Sequence, residues 1–195
     1  MNTEDRTNEI THADHTSLEY WKDDLASSIS WKYKSCVYHR NIFKYISIPD
    51  NGKVVQLGTG YGLGLEILAN QFPERTSGYD IFNYGEHPLV NICDIRQMPD
   101  FDVAYVHCNV GNFTNTPLLR KIGLEWTLKN LVPGGYCLTA GGNEYVNSYF
   151  NFNFNDLVES YNCEITAMPC DDEFESMLHA NLYDYRHECL IKKND

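Results

Sequence analysis

The sequence predicts one α/β domain built on a mostly parallel sheet, and three observations carry that expectation. From Lys53 onward, short apolar runs alternate with helix-like stretches, the order produced by strand, crossover helix and next strand. The 195 residues suit a single core, because domains cluster near ~100–150 residues. No repeat with a period of about 20–50 residues is present, which removes solenoids and propellers.

Charge narrows the partners. With 27 acidic against 15 basic residues the formal net charge is -12, so the overall field repels nucleic acid and anionic membrane surfaces. One stretch runs the other way, with Lys32, Lys34, His39, Arg40 and Lys44 uninterrupted by an acid. There is no apolar segment of about 18 residues and no signal-like start, so a cytoplasmic, soluble protein without membrane contact is expected. The 7 cysteines are odd in number and scattered, which suits small buried hydrophobes better than a disulfide framework.

Residues 1–15 have almost nothing apolar to bury and are expected to form a flexible acidic arm; the single domain then spans 16–195. Its first part, 16–48, reads as a helical cap. Thr16 and Glu19 have capping-box spacing, in which hydroxyl and carboxylate satisfy the first free backbone donors, and predict a helix from Leu18 to Ile29. Trp31, Tyr38, Ile42 and Tyr45 recur at helical intervals of seven, four and three residues before Pro49, Asn51 and Gly52 stop the pattern, which predicts a second, aromatic helix.

The core, 53–195, begins with a strand at Val54–Leu57. Leu65, Leu68, Ala69 and Phe72 then form one apolar helical face that ends before Pro73. Further strands are expected at Ser77–Asp80, Leu89–Cys93, Val103–His107 and Tyr136–Ala140. Before the last of these, Thr116 stands as N-cap and Pro117 at the first helical position, and Leu124, Leu128 and Leu131 recur until Pro133, Gly134 and Gly135 interrupt. The segment around Phe150, Phe152 and Phe154 is part helical, although its alternation also suits a strand. Cys163–Met168 and Tyr185–Lys192 bring the sheet to seven strands.

The chemistry starts at "VVQLGTGYGLG", residues 54–64. A strand that ends in a glycine-rich turn and opens a helix lets backbone approach a ligand and aims free N–H groups at it. The spacing is not the GxxxxGK of a phosphate loop, nor the GxGxxG of a dinucleotide turn. It is GxGxG at Gly58, Gly60 and Gly62, with Thr59 between the first two.

On these residues the chain resembles the class I S-adenosylmethionine-dependent methyltransferases, over about Lys53 to Ala140. "SGYDIF" is similar to the family's second-strand end, which implies that Asp80 takes the ribose hydroxyls with Ile81 beside it. "LVNICDIRQMP" resembles the segment after the third strand, which implies that Asp94 contacts the adenine amino group with Ile95 as its apolar neighbour. "FDVAYVHCNV" and "LKNLVPGGYCLTAG" resemble the fourth-strand motif and the turn into the fifth. The resemblance implies a Rossmann-like domain with a seven-stranded sheet of the class I methyltransferase type and S-adenosyl-L-methionine as cofactor.

Two departures stand out. The family carries an acid two residues before the first glycine, where it helps hold the cofactor's amino acid end; here that residue is Gln56, which has no charge to offer. The 13 residues Ile81–Cys93 leave little room for a helix, and "IRQMPDF" leaves none, so the sheet is shortened between strands 2 and 4. The apolar surface left there is expected to be covered by the N-terminal helices or by a second subunit in a homodimer.

Methyl transfer needs two reactants aligned and, for a hydroxyl acceptor, a proton removed. The family's residues after the fourth strand face the methyl end, which nominates His107 and Cys108 for the cofactor and Asn109 and Asn112 for the substrate. His107 is the candidate general base, since an imidazole titrates near neutral pH; a strand-end histidine bonded to backbone is the alternative. His39, His87 and His179 are weaker candidates. Tyr33, Tyr38, His39 and Arg40 of the second helix and Asn143 after the fifth strand are substrate-binding candidates, because rings stack on sugar-like faces and Arg forks an anion. "HCNVGNF" lacks the paired prolines of base-methylating relatives. No metal is expected, since His187, Glu188 and Cys189 are strand neighbours that point to opposite faces.

The sequence reading is therefore a transferase moving methyl from S-adenosylmethionine to a hydroxyl or amine of a small molecule. The alternative, suggested by Gln56 and the missing helices, is a methyltransferase-like protein that binds or interacts without catalysing.

Overall fold

Val54, Val55 and Leu57 are each buried in Lys53–Leu57 (β1), which carries core side chains on both faces and therefore belongs at the centre of a sheet. The structure, a computed structural model, describes residues 42–60, 62–83, 86–108, 117–140, 153–166 and 188–195. The remaining strands are Thr76–Asp80 (β2), Val90–Ile92 (β3), Val103–Cys108 (β4), Leu131–Ala140 (β5), Cys163–Thr166 (β6) and Glu188–Lys193 (β7). They form one seven-stranded sheet in the order β3-β2-β1-β4-β5-β7-β6. The pairs from β3 through to β5 are parallel, whereas β7 runs antiparallel to both β5 and β6.

The order places β1 and β4 side by side although β2 and β3 intervene in the chain. The sheet is built outward in opposite directions from that pair, and the crevice above such a reversal is where open α/β sheets take ligands. All six residues of β4 are buried, so this inner pair is also the best-protected part of the sheet.

Helices cover the two faces unequally. On one face Leu68 of Leu63–Gln71 (α1) packs with Val54, Tyr105, Leu138, Leu190 and Ile42, and Phe43, Ile46 and Ile48 close over them. Phe43 meets Phe72 and Tyr105 edge-on, each at 4.8 Å between ring centroids, a geometry in which ring edges meet the electron-rich faces. On the other face Leu124, Trp126 and Leu128 of Pro117–Asn130 (α2) and Phe154 and Val158 of Phe154–Ser160 (α3) cover Val55, Val106, Cys137 and Ile191.

The shortening between β2 and β4 is present: the described residues of 81–93 contain no helix, and a single 3-10 turn, Ile95–Gln97, leads to β4. Aromatic side chains do part of the covering there. Tyr79 lies 5.8 Å from Phe101, and Phe101 lies 5.3 Å from Trp126, whose indole N–H donates to Pro99 O at 3.1 Å. Ile95 and Met98 complete this patch. The arm and both predicted N-terminal helices lie outside the described residues, apart from the 3-10 turn Ile42–Lys44 and the segment that follows it.

One expectation needs correcting. Pro133, Gly134 and Gly135 were expected to separate helix from strand, but β5 begins at Leu131, immediately after α2. Val103 pairs with Leu131 and Tyr105 with Tyr136, so the two-residue step on β4 faces a five-residue step on β5. The turn-forming residues are extruded as a bulge within the strand. Gly135 sits where a Cβ would come within 2.9 Å of Val132 O, which explains the glycine there and why turn chemistry coexists with strand pairing. Among the described residues no helix is long and apolar enough to cross a membrane.

Candidate functional site

At the carboxyl end of β1 the backbone adopts positive φ at Gly58 (73°), Gly60 (53°) and Gly62 (81°). Only glycine enters that region at no steric cost, so the spacing of the motif encodes the turn directly. Gly58 N donates to Tyr79 O at 2.9 Å, and Gly62 N donates to Thr59 O at 2.9 Å just before α1 starts.

Asp80 holds the turn from β2. Its Oδ2 accepts from Gly60 N at 2.9 Å and from Thr59 Oγ1 at 3.4 Å, while Oδ1 accepts from Ile81 N at 2.7 Å. Burial pushes the Asp80 carboxyl above the usual carboxylate value, opposed by the backbone donors Gly60, Ile81 and Phe82 and by Thr59. The carboxylate is thus a partly desolvated acceptor at the end of the strand next to the turn.

Asp94 follows β3. Asp80 pairs with Ile92, and Cys93 N donates to Asp80 O at 2.8 Å, which sets Asp94 just beyond the end of the neighbouring strand. Its carboxylate caps the 3-10 turn by accepting from Arg96 N at 2.9 Å and is gripped by the Arg96 guanidinium through Nε, 2.9 and 3.0 Å from Oδ1 and Oδ2, and through a terminal nitrogen. Ile95 lies beside it, partly buried against the core.

The floor of the crevice is polar. Gln56 is 1 % exposed and His107 5 % exposed, and the two are cross-strand partners in β1 and β4. Strand alternation puts both on the α1 face, with Val54 and Tyr105, since side chains two residues apart share a face. Gln56 Oε1 is buried with no hydrogen-bond partner. Burial lowers the His107 pKa from its ordinary value to about 3, so the ring is neutral at neutral pH and a poor acceptor for a proton. Cys108 points the other way, into the core among Leu57, Val106 and Cys137, so it can meet a ligand above the crevice through its backbone only.

Sequence reasoning missed two supports. Gly78 pairs with Gln56, and a Cβ there would lie 2.5 Å from Thr59 Cγ2 and 2.6 Å from Leu65 Cδ2; a glycine inside a strand pattern signals such close approach. The loop after β2 brings His87 onto Gly62, where a Cβ would stand 3.0 Å from the imidazole Cδ2. Asn83 fastens that loop, accepting from His87 N at 2.8 Å and donating to His87 O at 2.9 Å. No periodicity announces this contact.

Gln56, Gly58, Thr59, Gly60, Gly62, Asp80, Ile81, Asp94, Ile95 and His107 therefore gather at the carboxyl ends of four adjacent parallel strands. Tyr33, Tyr38, His39, Arg40, Asn109, Asn112 and Asn143 lie outside the described residues. Among the described residues no group of three or more His, Cys, Asp or Glu could hold a metal ion.

No family model and no curated protein matches the chain. Solved structures do match. The plantazolicin methyltransferase BpumL, in complex with a desmethyl plantazolicin analogue and S-adenosylhomocysteine, aligns over 98 % of this chain and 100 % of its own with a TM-score of 0.52 at 14 % identity. A chain described as a methyltransferase, in complex with the Haloferax volcanii Trm112 methyltransferase activator, aligns over 91 % of this chain and 97 % of its own with a TM-score of 0.54 at 16 % identity. The S-adenosylmethionine-bound amino pentose methyltransferase CalS10 from Micromonospora echinaspora is 21 % identical, with a TM-score of 0.48, and this chain spans 56 % of its length. The fold is that of the class I methyltransferases.

Proposed function

We propose that this protein binds S-adenosylmethionine in the crevice above β1 and β4 and transfers its methyl group to a hydroxyl or amine of a small molecule. The observation that carries the reading is the buried, unpartnered Gln56 Oε1 beside a glycine turn that Asp80 ties in place. A buried acceptor without a donor is costly, and a ligand that brings a donor removes the cost.

The residues fit the cofactor. Gln56 Oε1 accepts from its ammonium, the turn at Gly58, Thr59, Gly60 and Gly62 admits it close to backbone, Asp80 accepts from its ribose hydroxyls, and Asp94 and Ile95 receive the adenine. When bound, the cofactor supplies a methyl group activated on a sulfonium sulfur. The chain's part is alignment and exclusion of water, which suits a floor of neutral, buried side chains. His107 serves as a neutral wall of that floor, and Tyr33, Tyr38, His39, Arg40, Asn109, Asn112 and Asn143 are proposed to shape the acceptor side.

The test is calorimetric titration of the purified chain with S-adenosylmethionine and S-adenosylhomocysteine; no heat up to millimolar ligand would defeat the reading. The second reading, a methyltransferase-like protein that binds or interacts without turnover, is favoured by the low pKa of His107, which leaves that position without a base at neutral pH. Transfer of labelled methyl to any acceptor removes it.

A further inference from the structure

Resting on that reading, we propose that His87 is a positioning residue for the ligand: its ring, laid against Gly62, holds the third glycine of the turn in the shape that receives an S-adenosyl group.

The three left-handed glycines of the turn are held in different ways. Gly58 N donates to Tyr79 O and Gly60 N to Asp80 Oδ2, both at 2.9 Å, so the first two are tied to β2. Gly62 N donates to Thr59 O within the turn itself, and Gly62 stands at the N-cap of α1 with no side-chain cap bond. What lies against it comes from beyond β2. The three heavy atoms nearest to a Cβ built on Gly62 are Cδ2, Cγ and Cβ of His87, at 3.0, 3.1 and 3.2 Å.

His87 is in turn held through both main chain and ring. Asn83 accepts from His87 N at 2.8 Å and donates to His87 O at 2.9 Å, and the ring Nδ1 accepts from Leu89 N at 3.2 Å. Val90 N donates to His87 O at 3.1 Å, and Gly78 N donates to Leu89 O at 2.9 Å, which joins the loop to the sheet. The bonds from Asn83 close the loop whatever the ring does. Nδ1 and Cδ2 flank Cγ on opposite edges of the ring, so the bond from Leu89 N on one edge turns the other edge onto Gly62.

Glycine has more backbone freedom to lose than any other residue, and ordering a single residue is worth about 5- to 30-fold in an equilibrium constant. A turn already held at Gly62 does not have to be ordered by the ligand. The contact therefore contributes affinity without touching the ligand.

The experiment titrates the native chain, His87→Asn and His87→Phe with S-adenosylhomocysteine and follows amide hydrogen exchange at Gly62 in the ligand-free proteins. His87→Asn keeps an acceptor for Leu89 N, since that side chain bonds backbone two residues on, but loses the ring edge; His87→Phe keeps the ring and loses the acceptor. Affinity is expected to fall by about tenfold in His87→Asn and to stay within about threefold of native in His87→Phe. Exchange at Gly62 should quicken in the first variant only, with the buried Val106 of β4 as control, because a general loss of stability would quicken both amides. His87→Ala, which removes ring and acceptor together, is expected to match His87→Asn and replaces it should that variant not fold. Native affinity in His87→Asn or His87→Ala, or a loss in His87→Phe as large as theirs, overturns the inference while leaving the cofactor reading intact. Absence of binding by the native chain overturns both.

Discussion

Gly60 N donates to Asp80 Oδ2 at 2.9 Å, so the middle of the glycine turn is fastened to the end of the neighbouring strand by a charged acceptor. The same carboxylate is desolvated enough that burial is the largest influence on its pKa, in the upward direction. Support for the turn is thus combined with an unfavourable charge, an arrangement that a ligand donating to Asp80 would relieve.

Replacing Asp80 by Asn should separate these roles. The amide still accepts from Gly60 through its one oxygen but loses the bond from Ile81 N, and the removal of the buried charge opposes that loss, so thermal unfolding without ligand should shift little. Affinity for S-adenosylhomocysteine should fall by about 10- to 150-fold, the worth of a charge-assisted bond of about 1.5–3 kcal/mol. Calorimetry and a melting curve on the same sample check both halves, and unaltered affinity would take Asp80 out of the site.

The pH dependence of binding follows from the direction of that shift. The folded carboxyl titrates above its ordinary value of 3.8, and ligand hydroxyls donate to its ionised form, so affinity should be full above the raised pKa and decline as pH falls through it. Stability without ligand has the opposite sign. The unfolded chain ionises Asp80 first, so the residue's contribution becomes less favourable as pH rises from 3.8 through the folded value. Titration of affinity from neutral pH down to 3.8 should therefore show a decline that Asp80→Asn flattens.

Legibility followed the range over which each feature is encoded. Positive φ at Gly58, Gly60 and Gly62 is a property of the residues themselves, and the apolar runs of β1 and β4 state their burial locally, so turn, strands and sheet type could be read. Asp80 could be placed because its distance from the turn is set by one helix and one strand. The state of His107 could not, since it depends on Gln56 and Leu138, which stand opposite it only once the strands pair. The bulge at Pro133–Gly135 has turn chemistry in either setting, and pairing with β4 decides which one it enters. The fork from Arg96 to Asp94 depends on rotamers across a 3-10 turn that hydrophobic period does not describe.

His107 gives a stability prediction whose sign is fixed by its depressed pKa. The unfolded imidazole takes a proton near pH 6.5, while the folded one resists until about pH 3. Stability is therefore lost as pH falls from 6.5 toward 3, by about 1.4 kcal/mol for each pH unit within that window. Urea unfolding at pH 7 and pH 5 should show this loss in the native chain, and a smaller one in His107→Gln, which cannot take the proton. Equal losses in the two proteins would mean that His107 is accessible and charged, which would restore it as a candidate base.

Gly78 allows the support of the turn to be tested from beneath. Its absent side chain lets Thr59 and Leu65 settle against β2, and a methyl group there would meet their side-chain carbons at 2.5 and 2.6 Å. Gly78→Ala should therefore cost about 1–3 kcal/mol in overpacking. The displaced Thr59 stands between Gly58 and Gly60, so the strain should also reach the turn and weaken S-adenosylhomocysteine binding more than an equally destabilising change remote from the crevice, such as Val158→Ala in α3. Comparing affinity in the two variants at matched loss of stability separates a positioning role from a general one. Equal affinities would mean that β2 supports the core at this point and not the site.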